Sequence, residues 1–221
     1  MRTTREEARL TATDSGAVPG PYPPPPWHLK GDLWGGLFAA ESAPAPPPDL
    51  SPLTRRSLAV FVIRYREGTL GYDELIVGTA ARRGRRIGVY VHWIWVDDER
   101  SLRGGRRIWG VPKDLAEFRW DGPRVRVTDA QGLVAALRLS AKGPSLPRLP
   151  LPMTGFGTLD GARTVLTARV TARPGAASVR VEEWPARLPA LRRSGARIGV
   201  SAASFTMLMP APRLHPAPPG R

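Results

Sequence analysis

The basic residues of this 221-residue chain divide into 30 arginines and only three lysines, Lys30, Lys113 and Lys142. Lys113 directly follows Pro112 in the segment Gly105-Arg106-Arg107-Ile108-Trp109-Gly110-Val111-Pro112-Lys113-Asp114-Leu115-Ala116. It lies between apolar residues, where a helical signal gives way to a strand signal. A lysine held in an apolar pocket loses hydration of its ammonium, and its pKa falls. An amine that is neutral near pH 7 can attack a ketone or aldehyde and form a Schiff base. The iminium is then an electron sink for the bond β to nitrogen. Loss of a carboxylate there is decarboxylation; loss of a carbinol or a proton is retro-aldol cleavage or dehydration. A partly buried carboxyl group nearby would move the proton. The plain alternative is a surface lysine in a turn.

Other catalytic kits are missing. Three histidines without HxH or HExxH spacing do not make a zinc site. There is no G-x-S-x-G elbow, no Walker A pattern and no GxGxxG after a strand. Cysteine is absent. That excludes disulfides, thiolate metal sites and a cysteine nucleophile, and it fits a reducing cytoplasm. No apolar run approaches about 18 residues, and the segment MRTTREEARLTATDSG lacks the apolar core of a secretory signal, so no membrane association is expected. The formal net charge of +14 would fit nucleic acid. Yet arginine, alanine, glycine and proline, all written by GC-rich codons, fill 105 of 221 positions. The aromatic residues sit in apolar strands rather than among the arginines, so a nucleic-acid partner is disfavoured.

The elements that must hold Lys113 read as β. Residues 1–26 form a polar, then proline-rich arm, and 210–221 a loose proline-rich tail, around one domain over 27–209. Trp27–Phe38 is apolar with glycine interruptions and reads as extended chain or loop. Ser57–Tyr65 and Tyr72–Ala80 are rich in β-branched and aromatic residues and make a hairpin about the turn Glu67-Gly68-Thr69. Arg85–Val96 is nearly continuously apolar, as in a strand buried on both faces. Asp97 to Leu102 carries a helix-start signal that Gly104-Gly105 should stop. Leu115–Trp120 and Arg124–Thr128 make a hairpin. Leu133–Ser140, Thr164–Ala172, Ser178–Trp184 and Arg197–Met209 supply further strands. Eight or nine short strands joined by short turns predict a mainly β chain, an antiparallel barrel or sandwich with few short helices.

The Lys113 block resembles the pattern G-R-E-x-x-G-x-P-K-K-L-A of the acetoacetate decarboxylase-like family. Tyr90-Val91-His92-Trp93-Ile94-Trp95-Val96-Asp97-Asp98-Glu99 is similar to its Y-x-H-x-x-x-x-D-x-E segment, and Tyr72-Asp73-Glu74 to its Y-x-E strand. The likeness is good over residues 57–120. It implies a cone-like, mostly antiparallel β-barrel with the pocket inside, usually in a homo-oligomer. It implies Lys113 as the Schiff-base lysine, Glu74 as the pocket glutamate and proton shuttle, and a structural or pocket role for Arg106.

Three positions depart from the pattern. Asp114 replaces the second lysine, Arg107 the motif glutamate, and Val62 aligns with a second pocket glutamate. The family's substrate-carboxylate arginine has no secure match; Lys30 or an arginine would have to stand in. Tyr90 and His92 share one strand face, and Trp109 lies in the motif. With Arg106 they form the expected substrate-binding set. Trp93 and Trp95 share the other face and read as core.

The resulting expectation is a cytoplasmic lyase acting on a keto acid or related carbonyl compound, without metal or organic cofactor because the lysine is itself the electron sink. A binding protein of the same fold, and an arginine-rich nucleic-acid-binding protein, are the alternatives.

Overall fold

The computed structural model describes residues 21–216. The strands run β1 Trp27–Ala39, β2 Ser51–Pro52, β3 Ser57–Gly68, β4 Tyr72–Arg83 and β5 Arg86–Val96. The single α-helix among the described residues, α1 Glu99–Gly104, follows. Then come β6 Lys113–Leu115, β7 Glu117–Asp121, β8 Arg124–Asp129, β9 Gly132–Lys142, β10 Leu149–Leu159, β11 Ala162–Glu183, β12 Ile198–Met209 and β13 Arg213–His215. The fold is mainly β, as the strand signals require. Among the described residues no helix is long and apolar enough to cross a membrane.

The sheet runs β10-β5-β4-β3-β1-β12-β11, and β11 pairs back onto β10, which closes these strands into a barrel. Most pairings are antiparallel; β5 is parallel to both β10 and β6. Beyond its β10 partner, β11 runs on to pair with β9, and the meander β9-β8-β7 folds over the outer wall of the barrel. Two cores result. Inside the barrel lie Ile63, Tyr65, Tyr72, Ile94 and Phe205. Between wall and meander lie Phe38, Val60, Val62, Leu75, Val77 and Trp95, packed on Val125, Val127, Leu137 and Val179. Strands β3 and β4 therefore bury both faces, which is why they read as nearly unbroken apolar runs.

Several elements differ from expectation. Trp27–Phe38 is not a loop but part of a full strand; Gly31 and Gly35 sit where the β3 backbone and the Phe61 ring press against it, and Gly36 lies against Ala196. Thr164–Ala172 and Ser178–Trp184 are one strand of 22 residues that changes partners across Pro174-Gly175. Strand β10 was hidden by Pro150 and Pro152. There it pairs only with β11, so proline's missing N–H costs no ladder bond on the open side. Within the expected loose tail, Arg213–His215 pairs with β11. Most of the expected arm over 1–26 lies outside the described residues.

Candidate active site

Lys113 opens β6, whose parallel pairing sets it opposite Ile94 of β5. Its approach is shaped by two adjoining helical turns. Asp98 caps α1 by accepting the Ser101 N–H at 2.8 Å. Burial works against this carboxylate, but bonds from Arg100 and the Ser101 N–H outweigh it and hold Asp98 below the ordinary carboxylate range. The helix does not stop at Gly104-Gly105. It continues as a π-helical turn over Gly105–Trp109, a form that often marks functional positions. The turn ends at Gly110, whose φ of 64° is left-handed and suits glycine. Val111 and Pro112 then carry the chain inward to Lys113.

The lysine is 5% exposed. Its Nζ donates to Glu74 Oε2 at 2.7 Å and to Ser101 Oγ at 2.8 Å, and lies 3.5 Å from the Tyr72 hydroxyl. It also stands 4.9 Å from the centre of the Tyr72 ring. Glu74, equally buried, comes from β4, two residues after Tyr72 and on the same strand face. Its other oxygen accepts from the Tyr65 hydroxyl at 3.2 Å. Tyr65 and Tyr72 are cross-strand partners with ring centres 4.4 Å apart. Burial, reinforced by the Glu74 charge, pushes both phenols well above their ordinary pKa. They stay protonated, so the Tyr65 hydroxyl remains a donor to Glu74.

These groups lie on the wall of a cavity of about 150 Å³ inside the barrel. The rest of the lining is almost wholly apolar and includes Trp27, Phe61, Ile76, Trp109, Met153 and Met207. Trp27 meets Trp109 edge-on at 4.6 Å, and the Trp109 indole N–H is held by the Pro210 carbonyl. The arrangement offers one amine, one carboxylate and neutral hydroxyls in a largely apolar pocket, which is what imine formation and proton transfer require.

Of the residues expected from sequence, the structure brings Lys113, Glu74 and Trp109 to this cavity and leaves Arg106, Tyr90 and His92 outside it. Arg106 turns outward. Its Nε donates to the Lys113 carbonyl at 2.6 Å and its guanidinium pairs with exposed Asp114, so it braces the lysine backbone from behind. The Asp114 carboxylate thus points away from the amine. Tyr90 and His92 face the outer side of β5 because a bulge at His92 breaks the alternation; Val89, Val91 and Ile94 line the cavity instead. His92 shares a hydrogen bond with Thr79, and burial pushes its pKa down. Val62 faces the outer core, and the cavity side of β3 carries Phe61, Ile63 and Tyr65. Lys30 is exposed and pairs with Glu67.

Ser101 and Tyr65 were missed. The helix cap at Asp98 placed Ser101 on the first turn, and Tyr65 shares the inward face of the hairpin with Tyr72. Neither signal names a partner for the amine.

Gly105 is packed against the lysine. A Cβ there would sit 2.5 Å from Lys113 Cδ and 2.7 Å from Cε. Gly105→Ala should displace the side chain at a cost of about 1–3 kcal/mol. Carbonyl adduct formation on Lys113, followed by mass spectrometry, should fall about tenfold or more while the protein still melts cooperatively. An unchanged rate would show that the lysine does not react from this position.

A family model described as Acetoacetate decarboxylase (ADC) matches residues 45–186. No curated protein matches the sequence. Among solved structures, the chain superposes on acetoacetate decarboxylase from Legionella pneumophila subsp. pneumophila str. Philadelphia 1 with a TM-score of 0.65, at 17% identity and covering 92% of each chain. It superposes on the enduracididine biosynthesis enzyme MppR complexed with pyruvate with a TM-score of 0.65, at 14% identity, covering 94% of this chain and 95% of that one. An acetoacetate decarboxylase-like enzyme from Sphingomonas wittichii RW1 gives 0.66 at 15% identity, covering 92% and 98%. Identities this low speak for a shared fold alone. The family match spans more than half the chain and carries Glu74, Ser101 and Lys113 with the strands that place them, and on that ground the chain belongs to the acetoacetate decarboxylase family.

Proposed function

We propose that the protein is an acetoacetate decarboxylase-like lyase in which Lys113 forms a Schiff base with a carbonyl substrate and Glu74 moves the proton. One observation carries the proposal: a buried amine and a buried carboxylate 2.7 Å apart on the wall of an otherwise apolar cavity. Burying an ion pair in apolar surroundings costs several kcal/mol per ion before the pair recovers it. A fold seeking stability alone does better with apolar side chains there.

The geometry supports these steps. Glu74 Oε2 takes a proton from the Lys113 ammonium. The neutral amine adds to the carbonyl carbon, forming a C–N bond as the C=O π pair moves onto oxygen. That oxygen takes one proton from the attacking nitrogen and one from Glu74 and leaves as water, which restores the carboxylate. The resulting iminium draws the electron pair of the bond β to nitrogen into an enamine: a carboxylate there leaves as CO2, a carbinol leaves as an aldehyde or ketone while its hydroxyl proton passes to Glu74, and a C–H bond gives its proton to Glu74. Protonation of the enamine carbon and hydrolysis of the imine return the lysine. Tyr65 and Ser101 keep Glu74 and the Lys113 Nζ in register through these transfers.

The departures from the family motif do not touch the amine. Arg107 is exposed, Asp114 is paired on the outside and Val62 lies in the other core. They therefore give no specific support to a non-catalytic binder.

The test is borohydride trapping over a panel of ketones, aldehydes and keto acids, with the adduct mapped by mass spectrometry. The expected result is a single adduct on Lys113, absent from Lys113→Ala. No adduct with any carbonyl compound would overturn the proposal.

A further inference from the structure

We infer that the cavity takes a carbonyl compound whose remainder is apolar and uncharged, a simple ketone or aldehyde or its aldol, rather than a keto acid. The inference rests on the Schiff-base reading above and narrows its substrate class. The reaction it implies makes or breaks a bond to hydrogen or to a neutral carbon, not the bond to a carboxylate.

The charge inventory of the cavity carries the inference. Its wall holds one cation, Lys113, and one anion, Glu74, already paired at 2.7 Å. Converting the ammonium to an iminium exchanges one positive charge for another, so the balance persists through the Schiff base. A substrate carboxylate would be a third charge, and among the described residues no guanidinium or second ammonium lines the cavity to meet it. The nearby candidates are engaged elsewhere. Arg106 faces outward onto Asp114, Arg163 is paired with Asp49 outside the barrel interior, and Lys30 is exposed against Glu67. The neutral polar atoms beside the amine are few: the hydroxyls of Ser101, Tyr65 and Tyr72, with Thr154 across the cavity. An unpaired carboxylate in such surroundings is strongly disfavoured.

The remaining wall favours an apolar chain. Met153, Met207 and Met209 supply flexible thioether side chains that adapt to a ligand's shape, and Phe61, Ile76, Val91 and Leu166 supply fixed apolar surface. Each methylene that such a wall removes from water should strengthen binding about fourfold until the cavity is full. A ketone held as an iminium here would lose an α-proton to Glu74: the C–H pair becomes the enamine C=C bond, and the C=N pair settles on nitrogen.

The test uses pairs of nearly equal shape on the full-length wild-type protein. Methyl isobutyl ketone is compared with acetoacetate, and methyl isopropyl ketone with pyruvate. Each rate of borohydride-trapped adduct on Lys113 is normalised to the rate with a free alkylamine. The neutral member of each pair is expected to react at least about 10²-fold faster. Trapping should also rise along methyl ethyl, methyl propyl and methyl butyl ketone, and deuterium from solvent should enter their α positions. Equal or faster trapping of the keto acids overturns the substrate class while leaving the Schiff base standing. No adduct from any compound overturns the Schiff base itself.

Discussion

Exchanging Glu74 for glutamine should slow Schiff-base formation on Lys113 by about 10²–10⁴-fold, the usual worth of a positioned acid–base group. The amide keeps the shape of the carboxylate and still accepts from the Tyr65 hydroxyl, but it cannot take the ammonium proton from 2.7 Å. The same exchange should also destabilise the fold. It strands a buried cation 5% exposed, and breaking a buried pair from one side typically costs about 3–5 kcal/mol.

The two effects separate in a cycle. Lys113→Met strands Glu74 instead and should destabilise by a comparable amount. The double variant, Glu74→Gln with Lys113→Met, leaves no charge and should regain most of the lost stability, because a well-packed neutral replacement is often no worse than the pair. Urea unfolding of the four proteins, with trapping kinetics for the two that keep the lysine, checks both claims. Wild-type trapping kinetics in Glu74→Gln would remove the glutamate from the mechanism. Additive losses in the double variant would mean that the two groups act separately.

Much of the frame around this pair was legible in residues. Ser57–Tyr65 and Tyr72–Ala80 announced a hairpin because both faces are buried, and that hairpin is β3 and β4. Lys113 stood out because a composition that writes arginine almost everywhere keeps so few lysines. Its meeting with Glu74, 39 residues away in sequence, was not visible in spacing. Only the likeness to family motifs joined them.

The misplacements on strands share one cause. Strand faces alternate with a period of two, so a single-residue slip reverses every side chain. The family pattern aligns a pocket position with Val62, whereas Phe61 and Ile63 hold the cavity side. Tyr90 and His92 were set inside because nothing in Val89–Trp95 signals that His92 is an extra residue in the ladder. Arg106 lies in the right motif, yet the π-helical turn aims it outward, and periodicity does not distinguish that turn from an ordinary helix end. Glycine was misread twice in the same way. In Trp27–Phe38 and at Gly104-Gly105 it reads as a break from sequence alone, whereas it marks close packing against Phe61, Trp27 and Lys113.

Arg163→Met should destabilise the fold by about 3–5 kcal/mol near neutral pH, although the residue touches neither the cavity nor the amine. Its guanidinium and Asp49 form a pair whose side chains are 9% and 11% exposed. The same guanidinium donates to the Gly157 carbonyl at 2.8 Å and to the Thr158 hydroxyl. The Thr158 N–H in turn holds the Gly110 carbonyl at 2.9 Å, at the left-handed residue that turns the chain toward Lys113. The Tyr90 ring lies against the guanidinium at 5.5 Å, which places Tyr90 in this support rather than at the substrate.

The loss should depend on pH in a fixed direction. Burial alone would raise the Asp49 pKa, but the hydrogen bonds and charge of Arg163, helped by Arg83, outweigh it and hold the carboxyl below its ordinary range. A carboxyl whose folded pKa is depressed contributes stability that is present above its unfolded pKa of about 3.9 and is lost as pH falls through the folded value. The difference between wild type and Arg163→Met should therefore be widest near neutrality and shrink on acidification. Urea midpoints measured near pH 7 and in acid below about pH 4 read that difference directly. A gap that stays constant over this range would mean that the guanidinium acts through its bonds to Gly157 and Thr158 alone. A gap that narrows as expected would make the Asp49 charge part of what holds the turn leading to Lys113.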